Sequence, residues 1–171
     1  MLEINENIQH ILLTKFQDKV YSFEQTYNTL SFESDPSINI KLLQFLKEDE
    51  RLQFTFLNDL CGAHFPTNNG KELAVFYHLK NIYTQTMIRF VIRIDITQPT
   101  VFTATNVFES ANWMERETFD FFGIEFVGHP NLKRILNVEE MDYFPLRKEY
   151  PLEDQTRLDK DDQMFGRGST F

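Results

Sequence analysis

Between residues 115 and 129 the chain concentrates side chains able to move protons. Glu115, Arg116, Glu117 and Asp120 fall within six residues, and His129 follows in a Gly128-His129-Pro130 step. Glu115 or Glu117 could act as a general base with His129 as its partner, provided these groups converge in one cleft. A histidine in a Gly-His-Pro turn more often makes a structural hydrogen bond, and no catalytic residue is assigned. A second possible chemistry is metal binding. Cys61-x-x-His64 is a permissible half of a zinc site, with His78 and His129 as further ligands. That second pair is scattered and Cys61 follows an apolar stretch, so a buried thiol beside a surface histidine is the simpler expectation. Gly166-Arg167-Gly168 is too short for a phosphate loop, and the absence of a GxGxxG fingerprint gives no support for direct dinucleotide binding.

These residues need elements to position them. Ile4, Ile8, Ile11, Leu12 and Phe16 recur at helical spacing and predict an amphipathic helix over 3–17. Residues 20–23 and 27–32 are β-branched and aromatic and read as strands around a polar turn. Asp35-Pro36-Ser37 opens a second helix whose Ile40, Leu43, Phe45 and Leu46 face the core, and the acidic run 48–50 ends it. Leu52, Phe54 and Phe56 alternate with polar residues and predict a strand over 52–60. Asn68-Asn69-Gly70 is a loop, and strands over 72–80 and 85–96 meet at a turn near Asn81. Asn106 with Glu109 resembles a capping box that starts a helix running to Phe122, with Gly123 at the left-handed C′ position. Residues 124–127 then lead into the Gly128-His129-Pro130 turn.

The order of elements predicts an α+β fold. Helices pack on a mostly antiparallel sheet of about four strands, followed by a helix–turn motif and an extended C-terminal tail. Residues 1–136 form the globular domain. Residues 137–171 are too polar to build a core and are expected to be disordered or laid along a partner.

The bulk composition narrows the functions. Hydrophobic residues make up 42% and charged residues 25% of 171, an ordinary globular balance. Eighteen Phe residues need extensive burial, most simply in a Phe-rich core. A net charge of −9 without a basic run argues against nucleic-acid binding. One cysteine excludes an internal disulfide and suits a reducing compartment. No signal peptide is apparent. No stretch approaches the ~18 apolar residues of a membrane span, so membrane association is expected only through a partner.

Arg116 and Asp120 are i,i+4 neighbours on the predicted helix, worth about 0.3–0.5 kcal/mol if exposed. Beside Trp113, Phe119, Phe121 and Phe122 these charges are expected to be partly buried. Glu115 and Glu117 then require an Arg, His or backbone donor, with Arg134, Arg147 and Lys148 as candidates. Such pairs would lock the helix to the Gly-His-Pro turn and to the tail.

The motif Glu115-Arg116-Glu117, Asp120, Gly123, Gly128-His129-Pro130, Leu132, Arg134-Ile135-Leu136, followed by Pro145-Leu146-Arg147-Lys148-Glu149-Tyr150-Pro151, resembles the 30 kDa subunit (C-subunit) family of respiratory complex I. Asn112-Trp113 resembles the family's upstream pair. Met141–Phe144 departs from it, since family members usually carry Trp-x-Gly-His there. The resemblance implies a non-catalytic scaffold subunit of the peripheral arm of the proton-translocating NADH–quinone oxidoreductase. It implies no cofactor in this chain, with FMN, iron–sulfur clusters and quinone on partner subunits. The partners implied are the quinone-site subunit and the terminal iron–sulfur cluster subunit. The chain would lie on the cytoplasmic side of an energy-transducing membrane, peripherally, through the complex. Arg134, Arg147, Lys148 and Tyr150 are the expected partner contacts. The alternatives are a homologous subunit of a membrane-bound hydrogenase or related dehydrogenase, and a free-standing enzyme using Glu115, Glu117 and His129.

Overall fold

Apolar residues fall into two spacings, and these build the fold. The computed structural model describes residues 2–27 and 29–150. Helices α1 (Leu2–Phe16) and α2 (Asn39–Glu48) bury Ile8, Ile11 and Leu12, and Leu42, Leu43 and Leu46, at helical intervals. Strands β4 (Leu73–Lys80) and β5 (Met87–Ile94) bury alternate residues: Leu73, Val75, Tyr77 and Leu79 on one, Ile88, Phe90, Ile92 and Ile94 on the other.

With β1 (Val20–Thr26), β2 (Thr29–Ser34) and β3 (Phe56–His64) they form a five-stranded sheet in the order β1-β2-β5-β4-β3. Neighbours are antiparallel except β2 and β5, which run parallel because α2, β3 and β4 intervene in the chain. The expected α+β class, with a mostly antiparallel sheet, is what the molecule adopts. Leucine rather than the expected phenylalanine dominates the buried core, where Phe32, Phe54, Phe90, Phe108 and Phe126 are the buried phenylalanines among the described residues. Tyr77 stacks on Phe90 at 4.6 Å, Phe90 on Phe32 at 5.7 Å and Phe32 on Phe23 at 5.2 Å, a ladder of rings across four strands.

Three local expectations shift. Ile4 is exposed, so the buried apolar stripe of α1 begins at Ile8, one turn after the buried Asn5. The strand expected over 52–60 begins at Phe56, because Leu52 and Phe54 are buried from a turn with Gln53 at φ +46°. The helix expected from Asn106 begins at Ala111, as α3 (Ala111–Phe122). Lys47 donates to the Val107 carbonyl at 2.6 Å and lies over the Phe108 ring, so residues 104–110 are held as turns against α2. Strands β6 (Thr100–Phe102) and β7 (Glu125–Val127) flank α3 in the chain and pair in parallel as a separate small sheet.

Candidate functional site: the α3 clasp

Helix α3 turns Ala111, Glu115 and Thr118 to the same buried side at i, i+4 and i+7. It lies close against β3 because Gly62 has no side chain; a Cβ there would come within 2.6 Å of the Phe122 ring and 2.9 Å of Thr118. The helix ends at Gly123, in the left-handed conformation at φ +71°, as its position in the sequence predicts.

Glu115 is fully buried. Its carboxylate accepts from the Thr103 hydroxyl at 2.5 Å and the Ala104 N–H at 2.6 Å, which ties α3 to the end of β6. No cation is among these contacts. Burial therefore dominates and pushes its pKa up to about 7, with the two hydrogen bonds only partly opposing.

Asp120 has the opposite surroundings. It is also fully buried, but one carboxylate oxygen accepts the N–H groups of Ile135, Leu136 and Asn137 at 2.8–3.0 Å. The other accepts from Arg134 at 2.8 Å and from the Asn137 side chain at 3.1 Å. Burial acts to raise the Asp120 pKa, but the N–H groups of Asn137 and Leu136, the Arg134 guanidinium and the N–H of Ile135 outweigh it. They hold the carboxyl well below the ordinary aspartate range. Arg134 in turn donates to the carbonyls of Asp120, Met141 and Tyr143. One buried ion pair thus gathers three segments of chain: α3, residues 134–137 and residues 141–143.

The C-terminal stretch continues along α3. Residues 137–150 form no helix or strand. The Leu146 N–H donates to Phe121 O, Arg147 Nε to Phe122 O at 2.7 Å, and the Lys148 N–H to His64 Nδ1 at 2.9 Å. Phe144, within the Met141–Phe144 departure from the family pattern, sits between two guanidiniums, with Arg134 at 5.1 Å and Arg147 at 4.7 Å from its ring centre. Its ring covers the space above Gly123 that any Cβ would enter. A Gly123→Ala variant is therefore expected to lose about 2–3 kcal/mol, from the left-handed backbone and the collision with Phe144. Urea unfolding measures this loss, and Gly70→Ala, with open space around it, is the comparison that isolates the collision.

The other motif residues take varied places. Arg116 ignores Asp120 and donates to the carbonyls of Lys133 and Arg134 at 3.1 Å, while lying over the Trp113 ring. Glu117 is exposed on the side of α3 away from Glu115, so its expected buried pairing does not occur. His129 uses both ring nitrogens locally, one against Asn112 O and the other accepting the Asn131 N–H. Gly128 holds φ +85° at the turn and, with Pro130 and Trp113, borders a surface groove. Glu115, Glu117 and His129 therefore do not converge. Arg134 and Arg147, expected to face partners, are used inside the chain, with only 8% and 14% of their side chains exposed. Lys148 and Tyr150 are exposed, and Leu146 borders a small cavity beside Cys61. Pro145 is half-buried, and Pro151 lies outside the described residues, with the rest of the tail.

The thiol and histidine are reversed from expectation: Cys61 is exposed and His64 buried. Desolvation, with Asp59 nearby, raises the Cys61 pKa to about 11. His78 faces Asp59 at 3.7 Å, and among the described residues no group of three or more His, Cys, Asp or Glu is placed to hold a metal ion. Thr103, Ala104, Asn137 and Phe144 complete the site without being singled out in the sequence, and His64 joins it although its spacing suggested only a metal ligand. Of the first four, only Phe144, inside the departing stretch, carried any local signal.

Known proteins share this arrangement of chain. A family model described as respiratory-chain NADH dehydrogenase, 30 Kd subunit, matches residues 18–156. The NADH-quinone oxidoreductase C-subunit of Mesorhizobium japonicum is 35% identical over 145 residues, covering 85% of this chain and 71% of that protein. Its counterpart of the same name in Roseobacter denitrificans is 36% identical over 164 residues, covering 95% and 80%. Among solved structures, the trypsin-resistant fragment (1-134) of Nqo5 superposes with a TM-score of 0.63 at 24% identity, covering 75% of this chain and 99% of that one. A chain of the archaeal membrane-bound sulfane sulfur reductase gives 0.72 at 22% identity, covering 97% and 94%. These two are likenesses of fold.

Proposed function

This chain belongs to the 30 kDa subunit family of respiratory-chain NADH dehydrogenase, and from that membership we propose that it is a non-catalytic scaffold subunit docking the peripheral-arm partners of complex I. Its relatives are named as subunits of an NADH–quinone oxidoreductase. In this reading NADH oxidation by FMN, the iron–sulfur clusters and the quinone site all reside on partner subunits. The chain contacts the quinone-site and terminal-cluster subunits, on the cytoplasmic side of the membrane. Among the described residues no helix is long and apolar enough to cross a membrane.

One observation carries the proposal. The motif's buried and half-buried polar groups are consumed in shaping the chain itself: Asp120 and Arg134 close a clasp, Glu115 is sealed behind Thr103, and His129 is tied to Asn112. A stretch held this firmly presents a fixed surface rather than a reactive one. Rigid presentation lowers the ordering cost of binding. Its outward residues, Lys148 and Tyr150 with Tyr143 and Leu146, are the contacts assigned to the partners.

The test replaces Lys148 by Glu and Tyr150 by Ala together. After gentle extraction, recovery of the chain with iron–sulfur and quinone-site subunits is expected to fall about tenfold or more, with the thermal midpoint of the purified chain unchanged. Unaltered recovery would remove these residues from the interface. The runner-up, a subunit of a membrane-bound hydrogenase or related enzyme, draws on the fold shared with the sulfane sulfur reductase. The proteins that co-purify separate the two readings.

A further inference from the structure

The sheet has two ends. The clasp closes one, where His64 finishes β3. At the other end the β1–β2 and β4–β5 connections lie side by side, because β2 pairs directly with β5 and Leu30 stands opposite Ile88. Residues 25–30 and 81–87, Gln-Thr-Tyr-Asn-Thr-Leu and Asn-Ile-Tyr-Thr-Gln-Thr-Met, contain no charged residue in a chain that is 25% charged. Tyr27 is 97% exposed and Tyr83 81%, and Ile82 and Ile4 are about half exposed beside them. Hairpin tips facing only water have no use for large rings and readily accommodate Lys, Asp or Glu. Depletion of charge together with exposed tyrosine is the composition of a protein–protein contact.

The tips also enclose a shape. Tyr27 and Thr29 on one side, Gln85 and Met87 on the other, and Ile4 and Asn5 of α1 border a groove of about 480 Å³. Tyr27 at φ +48° and Gln85 at φ +59° both hold left-handed backbone at its rim, a conformation that costs a non-glycine residue energy.

We infer that this end is a second docking surface, which takes an uncharged, apolar segment of another polypeptide of the complex. The occupant follows from charge complementarity. Among its described lining residues the groove offers no cation to a phosphate, a carboxylate or an anionic lipid, and no carboxylate to a basic segment. Ile4, Tyr27 and Met87 in the groove, with Tyr83 and Ile82 exposed on the adjoining tip, suit an apolar one. The inference rests on the scaffold reading and extends it. The protein would hold partners at both ends of a sheet whose eight-residue central strands span about 25 Å.

The experiment places the photo-cross-linking residue p-benzoylphenylalanine at position 83, and separately at position 150, in the assembled complex. Position 83 is expected to cross-link to a partner segment without charged side chains, and position 150 to a different segment. A cross-link from 83 to a charged segment, to lipid or to a second copy of this chain overturns the assignment. So does silence at 83 while 150 reacts. Silence at both overturns the scaffold reading as well. In parallel, Tyr83→Ser should lower retention of the chain in the complex about tenfold while leaving its unfolding midpoint in place. Unchanged retention contradicts the inference.

Discussion

Asp120→Ala is expected to destabilise the chain by about 3–5 kcal/mol, the range for removing one partner of a buried ion pair. The loss has three sources. Arg134, nearly buried, is left without its carboxylate. The N–H groups of Ile135, Leu136 and Asn137 lose their only acceptor among the contacts described. The carbonyls of Met141 and Tyr143 then depend on an arginine no longer held in place. Asp120→Asn should cost less, because its amide oxygen still accepts some of these N–H groups while the charge is gone. Equilibrium urea unfolding gives the size of the effect. Hydrogen exchange at residues 135–137 gives its location, and those amides should lose protection first. A destabilisation below about 1 kcal/mol, the level of an exposed pair, would mean that the clasp does not hold the chain together.

Stability should also fall as pH rises from about 4.5 to about 7, and Glu115 should be the cause. Its folded pKa, about 7, lies above the ordinary 4.5, so the folded state binds the proton more tightly than the unfolded one. Stability from that proton is fully present below about 4.5 and is lost as pH passes through the folded value. The swing is about 3 kcal/mol. Glu115→Gln mimics the protonated form. Its amide oxygen can accept the Ala104 N–H and its NH₂ can donate to Thr103 Oγ1, so the variant should be flat over this window and more stable than the parent at pH 8. His78 tilts the other way, since burial first, and Arg89 as well, lower its pKa despite Asp59. The difference between parent and Glu115→Gln cancels that contribution. Denaturant midpoints at pH 5 and pH 8 for both proteins decide the matter; parallel pH profiles would refute the assignment to Glu115.

What the sequence could say about this molecule depended on how local the deciding interaction was. The stop of α3 at Gly123 and the paired strands β4 and β5 were legible because a left-handed cap and an alternating pattern are written within a few residues. The start of α3 was not, because the competitor for the Val107 carbonyl is Lys47, sixty positions away. The places of Cys61 and His64 follow from the phase of β3 rather than from the apolar run before Cys61. Phe56 points outward and Leu57 inward, and a register irregularity between Leu57 and Asp59 then returns the inward phase to Leu60 and His64, which leaves Cys61 on the outer face. Arg116 and Asp120 had the right spacing for a helical pair, yet three backbone N–H groups and Arg134 offered Asp120 a better-organised partner from the following loop. The motif identified the family, but only the folded chain divides its charges between the clasp, the buried Glu115 and the surface.

The most direct test of the scaffold account measures NADH–quinone turnover against the amount of assembled complex for Asp120→Ala, Glu115→Gln and Glu117→Gln. The account predicts that turnover tracks assembled complex in simple proportion for all three, with Asp120→Ala lowest in both. Full assembly accompanied by loss of turnover on the order of 100-fold, the scale of a missing general acid or base, would contradict it.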